Sequence, residues 1–250
     1  FRQKIMRDGV EFKPQDQAFE YVSANGGVVI GRDFGHAKQF YVCKDWQHVY
    51  DYVFNQAEAQ RNFYELIRES SKAVKLIVDL DLTPEKLKEA EHLHTTMDAI
   101  QLEVIEVIRT KLAQANIELD DQDIDVFHSD GAEKASRHIL FRVWFSGMRP
   151  SMFAFAKQVV CPALSNSAKR AFDLNIYTRN RHMRFFGATK INSTRRLHVK
   201  GTAMQTFTDQ HRDTFMRSLV QEPPPGNYET LDYELLKSAK QNVSKKNSGS

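Results

Sequence analysis

Nine residues, Val74 to Leu82 (VKLIVDLDL), limit what this chain can fold into more than any other stretch. The run is β-branched and aliphatic, as expected of a buried strand, yet it carries two aspartates. Side chains two apart on a strand share a face, so Asp79 and Asp81 emerge together while Val78, Leu80 and Leu82 point into packing. Two carboxylates side by side near a core repel each other, and burying both as anions is costly unless a cation neutralises them. A hard divalent ion such as Mg²⁺, which takes one or two carboxylates and keeps room for phosphate oxygens, answers that cost. An Asp-x-Asp pair also decorates exposed strand ends and occurs in sugar transferases, so the motif needs company. A second copy, Asp123 and Asp125, lies in a crowded acidic connection, where solvation explains it.

Charge distribution supplies some of that company. The 250 residues carry a net charge of only +3. From Lys134 to Thr208 there are fourteen Lys or Arg and one acid, Asp173, so the rest of the chain is net acidic. A one-signed stretch of this kind suits an anionic polymer or phosphates, although a solvated basic face has the same composition. The two cysteines, Cys43 and Cys161, are too few for a disulfide framework or a thiolate zinc module. No apolar run approaches the roughly 20 residues of a membrane span, and the first residues (FRQKIMRDG) do not read as a secretory signal. The expectation is an intracellular protein without membrane attachment.

The pattern of elements is that of an α+β domain with two small sheets. Residues 45–70 read as a helix, 74–82 as a strand, and Thr83-Pro84 as the start of a helical stretch to about Ala115, in one piece or two. The acid-rich segment 118–133 reads as a connection and 136–145 (SRHILFRVWF) as a strand. A helix follows over 150–163, then strand-like pieces around Ile176, Phe185 and Leu197, and a helix near 214–220. Pro223, Pro224, Pro225 and Gly226 are expected to close a domain of residues 1–226, leaving 227–250 as a polar tail, partly helical or disordered.

Two further motifs carry chemistry. In EKASRHILF, Lys134, Ser136 and His138 have the same strand parity, and an ammonium, a hydroxyl and an imidazole can all donate hydrogen bonds to phosphate oxygens. A hydrolase built on Ser136 and His138 is disfavoured, because neighbours on one strand face stand parallel and no Gly-x-Ser-x-Gly elbow surrounds the serine. The third motif opens at Asp173, followed by Arg179, Arg181, Arg184 and Lys190. An acid in so positive a setting suits a metal whose other side faces phosphate, and a salt bridge to one of the arginines is the alternative. Arg181 and Arg184 are three apart, so a regular strand aims them at opposite faces.

Taken in order, DLD (Asp79 to Asp81), KASRH (Lys134 to His138) and DLNIYTRNRHMRFFGATK (Asp173 to Lys190) resemble the archaeo-eukaryotic primase superfamily, in its PrimPol and large-DNA-virus primase branch. The third motif of that branch, an aspartate followed by YT-x-NR-x-x-R-x-x-x-x-x-K, is matched by Asp173, Tyr177, Thr178, Asn180, Arg181, Arg184 and Lys190. The likeness covers Lys75 to about Lys200. It implies a primase fold of two α/β modules, one resembling an RNA-recognition motif, flanking a catalytic cleft. It also implies template-directed nucleotidyl transfer from nucleoside triphosphates, with Mg²⁺ or Mn²⁺ in a two-metal site held by Asp79, Asp81 and Asp173. Lys134, Ser136, His138, Arg184 and Lys190 are then expected to bind the incoming nucleotide, with Arg181 a further site residue and Lys38 a nucleotide or template contact. The implied partners are template DNA, nucleoside triphosphates and, as in viral relatives, a helicase domain in a longer protein. Two other functions fit the same residues: a non-catalytic replication-origin or single-stranded DNA-binding module on a related fold, and a metal-dependent nuclease.

Overall fold

The computed structural model describes residues 5–6, 9–12, 14–68, 71, 73–92, 95–131, 134–200, 209–221 and 230–233. The chain is mixed α+β, with two sheets, and divides into two compact units: Phe1–Leu66 with His182–Leu219, and Ile67–Arg181 with Val220–Ser250. Among the described residues, no helix is long and apolar enough to cross a membrane.

The first unit is built on a six-stranded sheet in the order β1 (Ile5–Met6), β2 (Gly9–Phe12), β4 (Ala37–Cys43), β3 (Val28–Phe34), β5 (Phe63–Ile67) and β9 (Arg181–Arg184). Alternation along these strands gives the sheet two distinct faces. One buries Val29, Phe40, Val42 and Leu66 against Ala18 and Phe19 of the helix Gln15–Asn25. The other carries Tyr41 and Phe63 into an aromatic layer with Tyr52, on the helix Trp46–Phe54, whose first turn is capped by Asp45 accepting the His48 N–H at 2.9 Å. A second aromatic group, Tyr50, Phe54 and Phe185, surrounds Phe215 of the helix Asp209–Ser218.

The second unit centres on β8 (Ala135–Phe145), which runs antiparallel to β6 (Val74–Leu82) along its whole length. β7 (Ile124–His128) lies antiparallel to residues 137–141 of β8, and β10 (Thr230–Leu231) lies parallel to residues 144–145. A strand has two edges and β6 fills one, so β7 and β10 follow each other along the other. Leu76, Ile77, Val78, Leu80, Ile139, Leu140 and Phe141 are all at most 2% exposed. Burying each such side chain contributes about 1.5–3 kcal/mol, enough to hold two acids on the same strand.

Several expected elements change. Residues 45–70 are not one helix: the helix ends at Phe54, a loop follows, and Phe63–Ile67 is a fully buried strand. The 3.6-residue spacing of its aromatic residues was produced by two elements that happen to be in phase. The acidic connection holds a strand, β7, with Asp125 inside it. The stretch after Pro84 is two helices, Pro84–His92 and Met97–Ala113, the second capped by Thr96 accepting the Ala99 N–H at 3.1 Å. Ile176 lies in a tight helical turn, Leu174–Tyr177, not a strand. The strand expected at Phe185 ends one residue earlier, and Leu197 takes part in a loop rather than a strand. The helix from 150 to 163 is present, beginning at Met148. Pro223 to Gly226 and residues 234–250 lie outside the described residues, and β10 follows the expected domain end at 226.

Candidate metal and phosphate site

The β6–β8 register decides which side chains share the face of the acid pair. Asp79 stands opposite His138, and Asp81 opposite Ser136. Residues directly opposite on antiparallel strands project to one face, so both acids, the serine and the histidine emerge together. Lys134, one step before β8, closes the row: its Nζ lies 2.7 Å from Asp81 Oδ2. His138 Nε2 is 3.8 Å from Asp79 Oδ1, an electrostatic neighbour beyond hydrogen-bond length.

Asp173 arrives at the other edge of β6. Phe172 forms a bridge with Leu80, and the Asp173 N–H donates to the Asp79 carbonyl at 2.9 Å. Two residues up the strand, the Ile77 carbonyl accepts the Tyr177 hydroxyl at 2.8 Å. Carbonyls two apart face the same edge, so residues 172–177 are stitched to β6 at two successive points. The carboxylate itself is turned by Asn175, whose backbone N–H and side-chain Nδ2 both donate to Asp173 Oδ1, at 2.9 and 2.8 Å. This is the short Asx turn in which an aspartate bonds its backbone two residues on.

Asp79, Asp81 and Asp173 therefore converge, and each offers an oxygen within 4.8 Å of the others. Asp79 is buried and the other two are half-buried. Three carboxylates this close, with the Lys134 ammonium paired to Asp81, form an anionic cluster that favours a cation among them. The donor set, carboxylate oxygen only, is that of a hard cation and not of a thiolate or imidazole metal.

Tyr177, the tyrosine of the third motif, is fully buried, and burial pushes its hydroxyl well above the ordinary tyrosine range. It is a structural donor. Tyr177→Phe leaves the Ile77 carbonyl without that bond and is expected to destabilise the protein by about 1–2 kcal/mol. Equilibrium urea unfolding checks this, and an unchanged midpoint would remove Tyr177 from the support of Asp173.

The opposite face of β8 holds residues that the sequence did not single out. Arg137, 4% exposed, donates to Asp130, to Asp98 at 3.1 Å and to Gln101 at 3.2 Å. Asp130 also accepts the Ser136 N–H at 3.0 Å, so this network anchors the turn that presents Lys134. Gly131 and Lys134 are joined by a backbone bridge. The only hint in the sequence was parity: Arg137 lies between Ser136 and His138 and must face away from them. Burial raises the Asp130 carboxyl, but hydrogen bonds from His128, the Ser136 N–H and Arg137 outweigh it and hold the group at about 2. A carboxyl lowered on folding stabilises above its unfolded value of 3.8, and that contribution is lost as pH falls through about 2. Wild type is expected to lose more stability than Asp130→Asn between about pH 4 and pH 2 in urea titrations. Equal losses would show that Asp130 titrates as in the unfolded chain.

Of the remaining expected site residues, Arg181 belongs to the second unit and is half-buried. It and Arg184 both lie on β9 and project from opposite faces, as their spacing requires. Lys38, Arg184 and Lys190 belong to the first unit. There Lys38 Nζ pairs with Asp33 at 2.6 Å and lies 4.0 Å over the Tyr64 ring, while the Tyr64 hydroxyl donates to Asp33 at 2.5 Å. Burial pushes Asp33 up, and the hydrogen bonds from Lys38 and Tyr64, with that from the Ile191 N–H, bring it below the usual carboxylate range. Arg184 is buried and donates to the Arg195 carbonyl at 2.9 Å. Lys190, beside Ile191, is exposed. Of the second Asp-x-Asp, the Asp123 side chain accepts the Asp120 N–H at 3.0 Å. Neither it nor Asp125 joins the three-acid cluster. The chain matches no family model and no curated protein.

Proposed function

We propose that this chain is the catalytic domain of a template-directed DNA primase-polymerase, transferring nucleotides from nucleoside triphosphates to a 3′-hydroxyl. One observation carries the reading: three carboxylates, two on one strand and one more than ninety residues away, meet within 4.8 Å beside Lys134, Ser136 and His138. The motif order that resembles archaeo-eukaryotic primases supports it, and the α+β organisation in two units is compatible with the two-module fold of that family.

Asp79, Asp81 and Asp173 would hold Mg²⁺ or Mn²⁺, for which their hard oxygen ligands are suited. When bound, the divalent ions supply Lewis-acid polarisation of the attacking and departing oxygens. The protein's own contribution is positioning and electrostatics. Asn175 and the β6 edge fix the direction of Asp173. Lys134, Ser136 and His138 would donate to the nucleotide's phosphates, and the likeness to the family implies Arg181, Arg184, Lys190 and Lys38 as further nucleotide-binding residues. In a silent binding module the acids would only structure the cleft, and a nuclease would not need a set that grips a triphosphate, so metal-dependent incorporation separates these readings.

The test incubates template DNA with labelled nucleotides and Mg²⁺ or Mn²⁺, with and without a primer. Metal-dependent incorporation is expected. Binding to the template without incorporation, or strand cleavage in its place, would overturn the reading. Template affinity is expected to fall steeply with rising salt, since Lys and Arg contacts to phosphate release counterions.

A further inference from the structure

We infer that Lys134 is the resident counter-ion of the acid cluster and that it exchanges between Asp81 and the phosphates of the nucleotide, which couples cation binding to nucleotide binding. The inference rests on the metal-binding reading above and goes beyond it in making the same lysine a competitor of the cation. Its basis is the position of one ammonium group. Lys134 Nζ lies 2.7 Å from Asp81 Oδ2, and Asp81 is one of the three acids that converge. Both side chains are about a quarter exposed, so the pair is screened less than one on the open surface. A divalent ion bound by Asp81 brings a second cation against the same carboxylate, and the two repel.

Lys134 is built to move at its tip and not at its base. Its backbone is bridged to Gly131, and the neighbouring Ser136 and Arg137 are held by Asp130. The four-carbon stem can swing while the Cα stays fixed, and ammonium groups serve well as movable point charges. Ser136 stands opposite Asp81 on the same face, so an ammonium leaving Asp81 remains beside the serine and histidine row. Phosphates stabilise the released position and the cation stabilises the vacated carboxylate. Each therefore favours the other, and linkage makes the coupling reciprocal.

The test is Mn²⁺ binding to the full chain with no nucleotide present, followed by electron paramagnetic resonance of the free ion. Lys134→Met keeps the stem and removes the charge. It is expected to tighten Mn²⁺ binding by about fivefold or more, the lower end of coupling between linked sites. Lys134→Arg, which keeps the charge, is expected to stay near wild type. In an Asp81→Asn background the gain from Lys134→Met is expected to vanish, since the competition is for that carboxylate. If wild type binds Mn²⁺ in an Asp173-dependent manner and Lys134→Met binds it no more tightly, the exchange is wrong while the metal site stands. If neither protein binds Mn²⁺ at an Asp173-dependent site, the metal reading fails and the exchange with it. The arginine variant guards against a fold defect: a gain shared by Lys134→Arg would assign the effect to the turn and overturn the inference.

Discussion

Replacing Asp173 with Asn is expected to lower metal-dependent nucleotide incorporation by at least about 10²-fold, because metal ligation contributes several kcal/mol to stabilising the charged transition state. The substitution is close to isosteric. The Asn oxygen can still accept from the Asn175 N–H and Nδ2, and the backbone bond to the Asp79 carbonyl is untouched. The fold should thus survive, with unfolding free energy within about 0.5 kcal/mol of wild type, as for a substitution that breaks no buried contact. Primer extension and urea unfolding on the same preparation separate the two effects. Asp123→Asn is the matched control: its side chain caps a short turn outside the cluster, and incorporation is expected to be unchanged. If Asp173→Asn extends primers at the wild-type rate, Asp173 is not a metal ligand.

The largest expected effect on stability is at Arg137. Removing one partner of a fully buried ion pair costs about 3–5 kcal/mol, since the other charge is left without compensation. Here the arginine is 5% exposed in its side chain, but Asp130 and Asp98 are 41% and 57% exposed and can return to water. Arg137→Met is therefore expected to cost less, about 2–3 kcal/mol after this solvent screening. For a chain of this size that lowers the melting temperature by about 5–10 °C. Asp130 would then keep the Ser136 N–H and His128 but lose Arg137, so the Lys134 ammonium should lose definition against Asp81. A change in unfolding free energy below about 0.5 kcal/mol would mark the network as surface decoration.

How far the sequence reached depends on whether a feature is local. The Asp79 and Asp81 pair was legible because a strand's period of two assigns faces without any partner, and the same rule placed Lys134, Ser136 and His138 together. What the period could not give was register. That Asp81 faces Ser136 and Asp79 faces His138 follows from strand pairing across more than fifty residues. The approach of Asp173 depends on Phe172 bridging to Leu80; its basic setting suited it to a metal, but only the likeness to a known family joined it to the Asp79 and Asp81 pair. β7 was hidden by its acids: Asp123 and Asp125 make the stretch look solvated, while Phe127 and His128 are buried in the sheet. The over-long helix at 45–70 failed for the opposite reason. Phe63, Tyr64, Leu66 and Ile67 suit a helix face as well as a strand, and tertiary burial on both faces decided for the strand. Arg137 went unnoticed because a charged residue between two site candidates reads as another surface group until its partners, Asp98 and Asp130, are known.

On the proposed reading, Asp79, Asp81 and Asp173, drawn from distant parts of the chain, share a divalent cation. Anomalous diffraction from crystals grown with Mn²⁺ tests it most directly. The expected result is a peak at about 2.0–2.2 Å from oxygens of Asp79, Asp81 and Asp173, distances normal for small hard cations, and absent in Asp173→Asn. A well-occupied Mn²⁺ elsewhere on the chain, with no peak among these three acids, would contradict it.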